Sequence, residues 1–122
     1  MYEGDTHGWH FDLNDFVVSI LLQASEAGGT FDFAPNIRKD GDENYAGVAA
    51  AIEGHSQAVR SIKVEAGTLL LFCGRRALHR VPPVRGPLPR VIALFSYDRK
   101  PGVRYGSEVY ARVVGRTAPF ER

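Results

Sequence analysis

The sequence predicts an all-β fold, a sandwich or jelly roll, with one short helix. Six or seven short apolar segments are separated by turn signals along the 122 residues, which is typical of these folds. Only one helical segment lies among them, whereas a doubly wound α/β fold needs a helix between most strands. The composition, 44% hydrophobic and 24% charged residues, is that of a globular chain. The length fits one domain, so we predict a single domain over residues 1–122.

The first half of the chain contains the clearest strand signals. Residues 16–23 are rich in β-branched and large apolar side chains and are followed by a turn signal at 26–29, which contains two glycines. Residues 30–34 alternate between apolar and polar types, which predicts a short strand that Pro35 ends. A polar loop is predicted at 38–43.

The one predicted helix spans residues 44–53. Asn44 is a suitable N-cap, alanines fill the segment, and Gly54 follows it. The second half then alternates between strands and loops. Strands are predicted at 59–64, 68–73, 78–81 and 90–97, with a turn at 66–67, a loop at 84–89 and a last strand at 108–114.

Charge is distributed unevenly, although the net charge is only +1. From Arg75 onward there are eleven basic and three acidic residues. Such a basic third could attract nucleic acid or small anions. The basic residues form no run, however, and aromatic residues do not alternate with them on one face, as single-strand binding requires. We therefore expect no nucleic-acid partner.

The sequence contains no signal for membrane insertion or export. No apolar run approaches the about 20 residues of a membrane helix, and the acidic N-terminus is unlike a signal peptide. The single Cys73 has no partner for an internal disulfide and is expected to be a small buried hydrophobe. We expect a cytoplasmic protein without membrane contact.

His10 and Asp12 are candidate metal ligands. In an extended segment residues i and i+2 project from the same face, so both side chains could reach one ion. An imidazole and a carboxylate are two thirds of the facial triad of non-haem Fe(II) oxygenases. A His-x-Asp pattern also arises by chance, and the alternative is a surface histidine beside a turn aspartate.

A third ligand is expected from the end of another strand. His79 fits, because it follows the apolar segment 68–73 and a short turn; the alternative is a histidine satisfied within the core or on the surface. His7 and His55 have no comparable context, although His7 is close enough to His10 to compete. Arg90 begins the next strand and could pair with a carboxylate through two hydrogen bonds, or lie in solvent at a sheet edge.

These residues occur in the order that characterises a known family. The chain resembles the Fe(II)/2-oxoglutarate-dependent dioxygenases, and within them a bacterial branch related to enzymes that hydroxylate or halogenate free amino acids. The resemblance covers roughly residues 8–102. It rests on the strings GWHFDLNDFVVSILLQASEAGGTFDFAPNIR, DENYAGVAAAIEG and VEAGTLLLFCGRRALHRVPPVRGPLPRVIALFSYDRKPG.

The resemblance implies a fold and a set of site residues. The implied fold is a double-stranded β-helix, a distorted jelly roll with the metal between its two sheets. His10, Asp12 and His79 would bind Fe(II) and form the catalytic centre, and Arg90 would hold the distal carboxylate of the co-substrate 2-oxoglutarate.

One position departs from the family pattern. The serine that is frequent two residues after the arginine is replaced by Ile92, so other contacts to the co-substrate are open. Gln23, Thr30 and Asn14 are candidates, and each is also an ordinary strand or turn residue. Trp9, next to the first ligand, either lines the pocket or packs.

The resemblance also implies a reaction. Related halogenases have a small residue in place of the carboxylate, and halide takes its coordination position; here Asp12 occupies that position. The implied activity is hydroxylation, or another C–H oxidation such as desaturation, of a small molecule such as an amino acid. O2 would be consumed and 2-oxoglutarate decarboxylated to succinate.

The chain has only nine residues before His10, whereas members of the family usually carry further elements that back the larger sheet. Their absence would expose an edge or a face. The alternatives are a fragment, a homodimer, or a reduced gene product without activity. A second functional hypothesis is therefore a non-catalytic jelly-roll domain for binding or assembly, or an inactive remnant of such an enzyme.

Overall fold

The computed structural model describes residues 1–114, which form nine strands and two helices. The strands are β1 (His7–His10), β2 (Phe16–Gln23), β3 (Ala27–Gly28), β4 (Phe31–Ala34), β5 (Arg60–Ile62), β6 (Leu69–Phe72), β7 (Leu78–Val81), β8 (Val84–Arg85) and β9 (Val91–Tyr97). The helices are α1 (Tyr45–Ile52) and α2 (Ser107–Val114). None of the helices within residues 1–114 has the length and apolar character needed to cross a membrane.

The strands form two facing antiparallel sheets and a small third one. The first sheet has the order β1-β7-β4-β5, the second β6-β2-β9, and β3 pairs with β8. The two larger sheets pack against each other without closing into a barrel. The predicted all-β, jelly-roll-like class is therefore confirmed.

The core between the sheets follows from the alternation along β2. Val17, Ser19 and Leu21 are buried and point toward the first sheet. Leu21 packs with Phe31 of β4 and with Val64. Partly buried side chains from both sheets complete this cluster: Ala24, Phe33, Ile62, Leu70, Phe72 and Ile92.

A second cluster lies on the other side of the first sheet, under α1. Ala34, Ala51 and Leu78 are buried there and bring the helix onto the sheet. The predicted helix is confirmed together with its cap, because the Asn44 side chain accepts a hydrogen bond of 3.2 Å from the Gly47 amide. This packing holds β7, and with it the candidate ligand His79.

The surface of the second sheet that faces away from the core is apolar. Two cross-strand rows form it, Leu71–Val18–Phe95 and Leu69–Ile20–Ala93. We call these six residues the outer face. Leu71 is 68% exposed and Phe95 47%, and none of the six is charged. The structure thus has an exposed apolar face; a homodimer that covers it stays a prediction.

The prediction of a last strand at 108–114 is wrong, because this segment lies in α2. The amides of Val109 and Tyr110 donate to the Gly106 carbonyl at 3.0 and 3.1 Å, which forms the first helical turn. The apolar residues of this segment did not exclude a strand, because residues four apart share a face in a helix and in a strand.

Two smaller expectations are also corrected. The predicted turn at 26–29 and the predicted loop at 84–89 each contribute a two-residue strand, and these strands pair with each other as β3 and β8. The pairing needs a glycine at position 28, because a Cβ there would overlap the Pro83 carbonyl oxygen. Cys73 is half-buried rather than buried.

Candidate metal centre

The structure brings the three candidate ligands together. His10 ends β1, His79 is the second residue of β7, and the two are direct cross-strand partners. Asp12 lies in the loop that follows β1. One ligand atom from each residue lies within 4.8 Å of the others. Two side chains from neighbouring strands and one from the loop after β1 therefore face one point, as a shared ion requires.

A bulge in β1 aligns the histidines. His7 pairs with Val81 and His10 with His79, so three steps along β1 match two steps along β7. Without this extra residue, His7 and His10 would project from opposite faces of the sheet. With it the two rings share a face and their centroids lie 4.0 Å apart. His7 thus borders the candidate centre but is not among its three clustered ligands.

Both candidate histidine ligands are held through Nδ1. The Nδ1 atom of His10 lies 2.7 Å from the Gly8 carbonyl oxygen, and that of His79 lies 2.8 Å from the Ala77 carbonyl oxygen. A carbonyl oxygen only accepts, so the proton is assigned to Nδ1 in both rings. Each Nε2 then has its lone pair free toward Asp12, which is the usual arrangement of metal-binding histidines.

The carboxylate of Asp12 lies between the two imidazoles. Its Oδ1 is 3.7 Å from His10 Nε2 and its Oδ2 is 3.5 Å from His79 Nε2. Oδ2 is buried and has no hydrogen-bond partner within the described part of the chain. A buried carboxylate oxygen without a partner is costly, and a bound cation would satisfy it. The donor set therefore fits a divalent metal ion.

The environment keeps His79 in the form that binds metal. Burial lowers the pKa of His79, and the nearby His10 lowers it further, while the hydrogen bond to Ala77 and the charge of Asp12 act in the opposite direction. Phe72 packs edge-on against the His79 ring at 5.0 Å between centroids, and Phe31 lies at 5.7 Å. Neither phenylalanine was predicted to lie at the site; the alternation at 30–34 was the only pattern that indicated the burial of Phe31, and the continuous apolar run at 68–73 the only one that included Phe72.

Arg90 is buried rather than in solvent at a sheet edge. It is 4% exposed, and burial lowers the pKa of its guanidinium. Its Nε donates a hydrogen bond of 3.1 Å to the Gly29 carbonyl oxygen. The ion pairs within residues 1–114 do not include it. A buried cation without a carboxylate partner is rare and is suited to an anionic ligand.

The three weaker co-substrate candidates all have partners within the protein. The Gln23 side chain donates to the Pro89 carbonyl at 2.7 Å, Thr30 donates to Asp32 at 3.1 Å, and Asn14 donates to the Phe16 carbonyl at 2.6 Å. Pro89 directly precedes Arg90, so Gln23 is the candidate whose partner is the neighbour of Arg90 in the sequence. Ile92, in place of the family's frequent serine, packs in the core between the sheets.

Trp9 lies away from the candidate centre. Successive residues of a strand point to opposite faces, and Trp9 packs against the cluster under α1, with Arg80 stacked at 4.5 Å from its ring centroid. Of its two open interpretations, packing is the one that these contacts favour. His55 is exposed, and its Nδ1 lies 3.6 Å from Oε2 of Glu53. It is not one of the three clustered ligands.

The chain matches the family described as "Halogenase D" over residues 1–108. No curated protein matches it.

Proposed function

The chain belongs to the halogenase D family, and on that premise we propose that it is an Fe(II)- and 2-oxoglutarate-dependent oxygenase of the hydroxylase type. One observation carries the proposal: the Asp12 carboxylate lies between two histidine Nε2 atoms, and its buried Oδ2 has no hydrogen-bond partner among residues 1–114. Two imidazoles and one carboxylate are the ligand set of non-haem Fe(II) oxygenases, which leaves positions open for co-substrate and O2.

His10, Asp12 and His79 would hold the iron. Bound Fe(II), with 2-oxoglutarate and O2, supplies the oxidising power, and succinate and CO2 are the co-products. The contribution of the chain is to prepare the ligands. The carbonyl groups of Gly8 and Ala77 orient the two imidazoles, and the lowered pKa of His79 means that no proton must be displaced from its ring near neutral pH.

Arg90 would bind the distal carboxylate of 2-oxoglutarate. Its Nε is taken by Gly29, which leaves the two Nη groups for a carboxylate. A buried guanidinium strongly favours an anionic partner, because water does not compensate its charge. Because the distal carboxylate is negatively charged, an arginine is suited to this position and a neutral residue is not.

Asp12 favours oxygen insertion over halogenation. In the related halogenases that this chain resembles, a small residue stands at this position and a halide takes the place of the carboxylate. Here the carboxylate itself lies between the imidazoles. We therefore propose hydroxylation, or another C–H oxidation, of a small molecule such as a free amino acid.

A second function is an assembly role without catalysis. The uncharged outer face favours it, because exposed apolar patches mark interaction sites. The oxygenase needs the three metal ligands and the assembly role does not, so an experiment on metal binding distinguishes the two functions.

The test is an anaerobic titration with Fe(II) and 2-oxoglutarate, followed through the visible metal-to-ligand charge-transfer band. The wild type should develop the band and His79→Ala should not. His55→Ala is the matched control, because His55 is 76% exposed, and it should behave as the wild type. A folded wild type without a band would refute the oxygenase and leave the assembly role.

A further inference from the structure

We propose that Gly74 is a positioning residue for the candidate metal centre: its missing side chain provides the space that the Asp12 carboxylate occupies. The expected loss of metal affinity rests on the proposed function. The structural premise, the close approach of the two residues, is independent of any metal.

The space at position 74 is filled by Asp12. A Cβ built on Gly74 would overlap Oδ2 of Asp12 and would lie 2.5 Å from its Cγ and 2.9 Å from its Cβ. Real Cβ atoms essentially never approach other heavy atoms closer than 3.0 Å. The whole Asp12 side chain, and not only its flexible end, therefore lies against the backbone of residue 74.

The need for glycine here is one of space and not of backbone conformation. Eight glycines of the described chain have positive φ, and Gly74 is not among them. Alanine can therefore adopt the backbone of residue 74 without strain. This separates the role of Gly74 from that of a turn glycine such as Gly67, with φ of 89°.

Asp12 has no simple way to avoid an added methyl group. Its amide donates a hydrogen bond of 3.0 Å to the Gly74 carbonyl, which ties the two backbones together. The carboxylate would have to rotate away about χ1, and this would move Oδ2 from its place 3.5 Å from His79 Nε2. The rotation leaves the Asp12 Cβ 2.9 Å from the added group, so the two backbones would also have to separate by a few tenths of an ångström. A methyl group at position 74 thus displaces the Asp12 ligand from the cluster.

The first arm of the test measures metal binding without turnover, with Mn(II) as the probe and electron paramagnetic resonance of the free ion as the readout. Gly74→Ala should weaken binding ten- to a hundredfold, about the cost of losing a contact that orients a ligand. Gly106→Ala is the control, because within residues 1–114 no heavy atom apart from those of its two chain neighbours lies within 4 Å of a Cβ built there, and its φ is not positive. In an Asp12→Gly background Gly74→Ala should cause no additional loss.

The second arm uses the metal-free protein and compares unfolding midpoints in the same cycle. Gly74→Ala should lower the midpoint when Asp12 is present and leave it unchanged when residue 12 is glycine. An equal decrease in both backgrounds would overturn the inference, as would wild-type Mn(II) affinity in Gly74→Ala. If the wild type itself bound no metal, the proposed function would fail, and the metal-free cycle would still decide whether Gly74 positions Asp12.

Discussion

Arg90 is held by Gly29 through one hydrogen bond, from Nε to the carbonyl oxygen at 3.1 Å. The Arg90 side chain also lies close to the Gly29 backbone: a Cβ on Gly29 would lie 3.0 Å from Cδ of Arg90 and 2.8 Å from Oγ of Ser25. Gly29 also has a positive φ of 59°, which glycine adopts most readily. The glycine turn therefore fixes the stem of Arg90 and leaves its outer nitrogens for a ligand.

We expect Arg90→Lys to weaken binding of 2-oxoglutarate to the Fe(II)-loaded protein by about tenfold or more. Lysine keeps the charge but loses the paired geometry and the bond to Gly29, and a hydrogen bond to a charged group contributes about 1.5–3 kcal/mol. Calorimetric titration measures the affinity. The exposed Arg60 of β5 provides the control Arg60→Lys, and equal affinity in both variants would remove Arg90 from the co-substrate site.

We expect chloride to leave the charge-transfer band of the wild type unchanged, because Asp12 occupies the position that a halide would need. In Asp12→Gly this position is open, so the band, if it forms, should shift when chloride replaces a non-coordinating anion. Visible spectra recorded without O2 give the answer without a known substrate. A chloride-dependent shift in the wild type would contradict the hydroxylase assignment.

Leu78→Ala should destabilise the protein by about 2–5 kcal/mol, the usual cost of a truncated leucine in a well-packed core. Leu78 is 2% exposed and packs between Ala34 and Ala51. Denaturant unfolding measures the change. Leu69→Ala, at a position 57% exposed on the outer face, should cost no more than about 0.5 kcal/mol; equal costs would mean that α1 does not pack as described.

Tyr105 should titrate at an unusually high pH. Partial burial and hydrogen bonds of 2.9 and 3.0 Å to Asp98 raise its pKa from 10.0 to about 12. The folded state thus favours the neutral phenol, so the stabilisation is present below pH 10 and is lost as the pH rises toward 12. The ultraviolet difference between wild type and Tyr105→Phe isolates this titration. Asp98→Ala should return it toward 10; a wild-type transition already near 10 would contradict the contact.

The outer face should support weak self-association. It is apolar and carries no charge of either sign, so the same face of a second copy is complementary to it. Sedimentation velocity over a concentration series should show a monomer–dimer equilibrium that Leu71→Lys shifts to monomer. Tyr45, 80% exposed on α1, provides the control Tyr45→Lys. A wild type that stays monomeric at all concentrations would refute the homodimer.

Sequence patterns predicted those features that depend on local alternation or on short-range caps. The β-branched and large apolar residues at 16–23 predicted the strand β2, the alternation at 30–34 predicted β4, and Asn44 predicted the start of α1. The pairing of β3 with β8 could not be predicted, because two residues carry no periodicity of their own and depend on the approach of Pro83 to Gly28. The prediction of a strand at 108–114 was wrong because a short segment with few apolar residues fits the repeat of a helix as well as that of a strand. The helical turn that begins at Gly106 starts α2.

The same distinction applies to the candidate centre. His10, Asp12 and His79 could be singled out because their residue types and order are typical of a metal site. The bulge that brings His7 beside His10 has no local signal, since it exists only in the pairing of β1 with β7. The space at Gly74 is likewise invisible in a sequence, because nothing near residue 74 indicates that a distant carboxylate will fill it.

The direct pairing of His10 with His79 makes the centre a check on folding. If β1 slipped by one residue against β7, the two imidazoles would point to opposite sides of the sheet and no ion could join them. A bound divalent ion would therefore stabilise this strand register relative to registers shifted by one residue. The number of Mn(II) ions bound per chain at saturation, measured on a fresh preparation, would report the fraction of molecules with correctly aligned strands before any reaction is attempted.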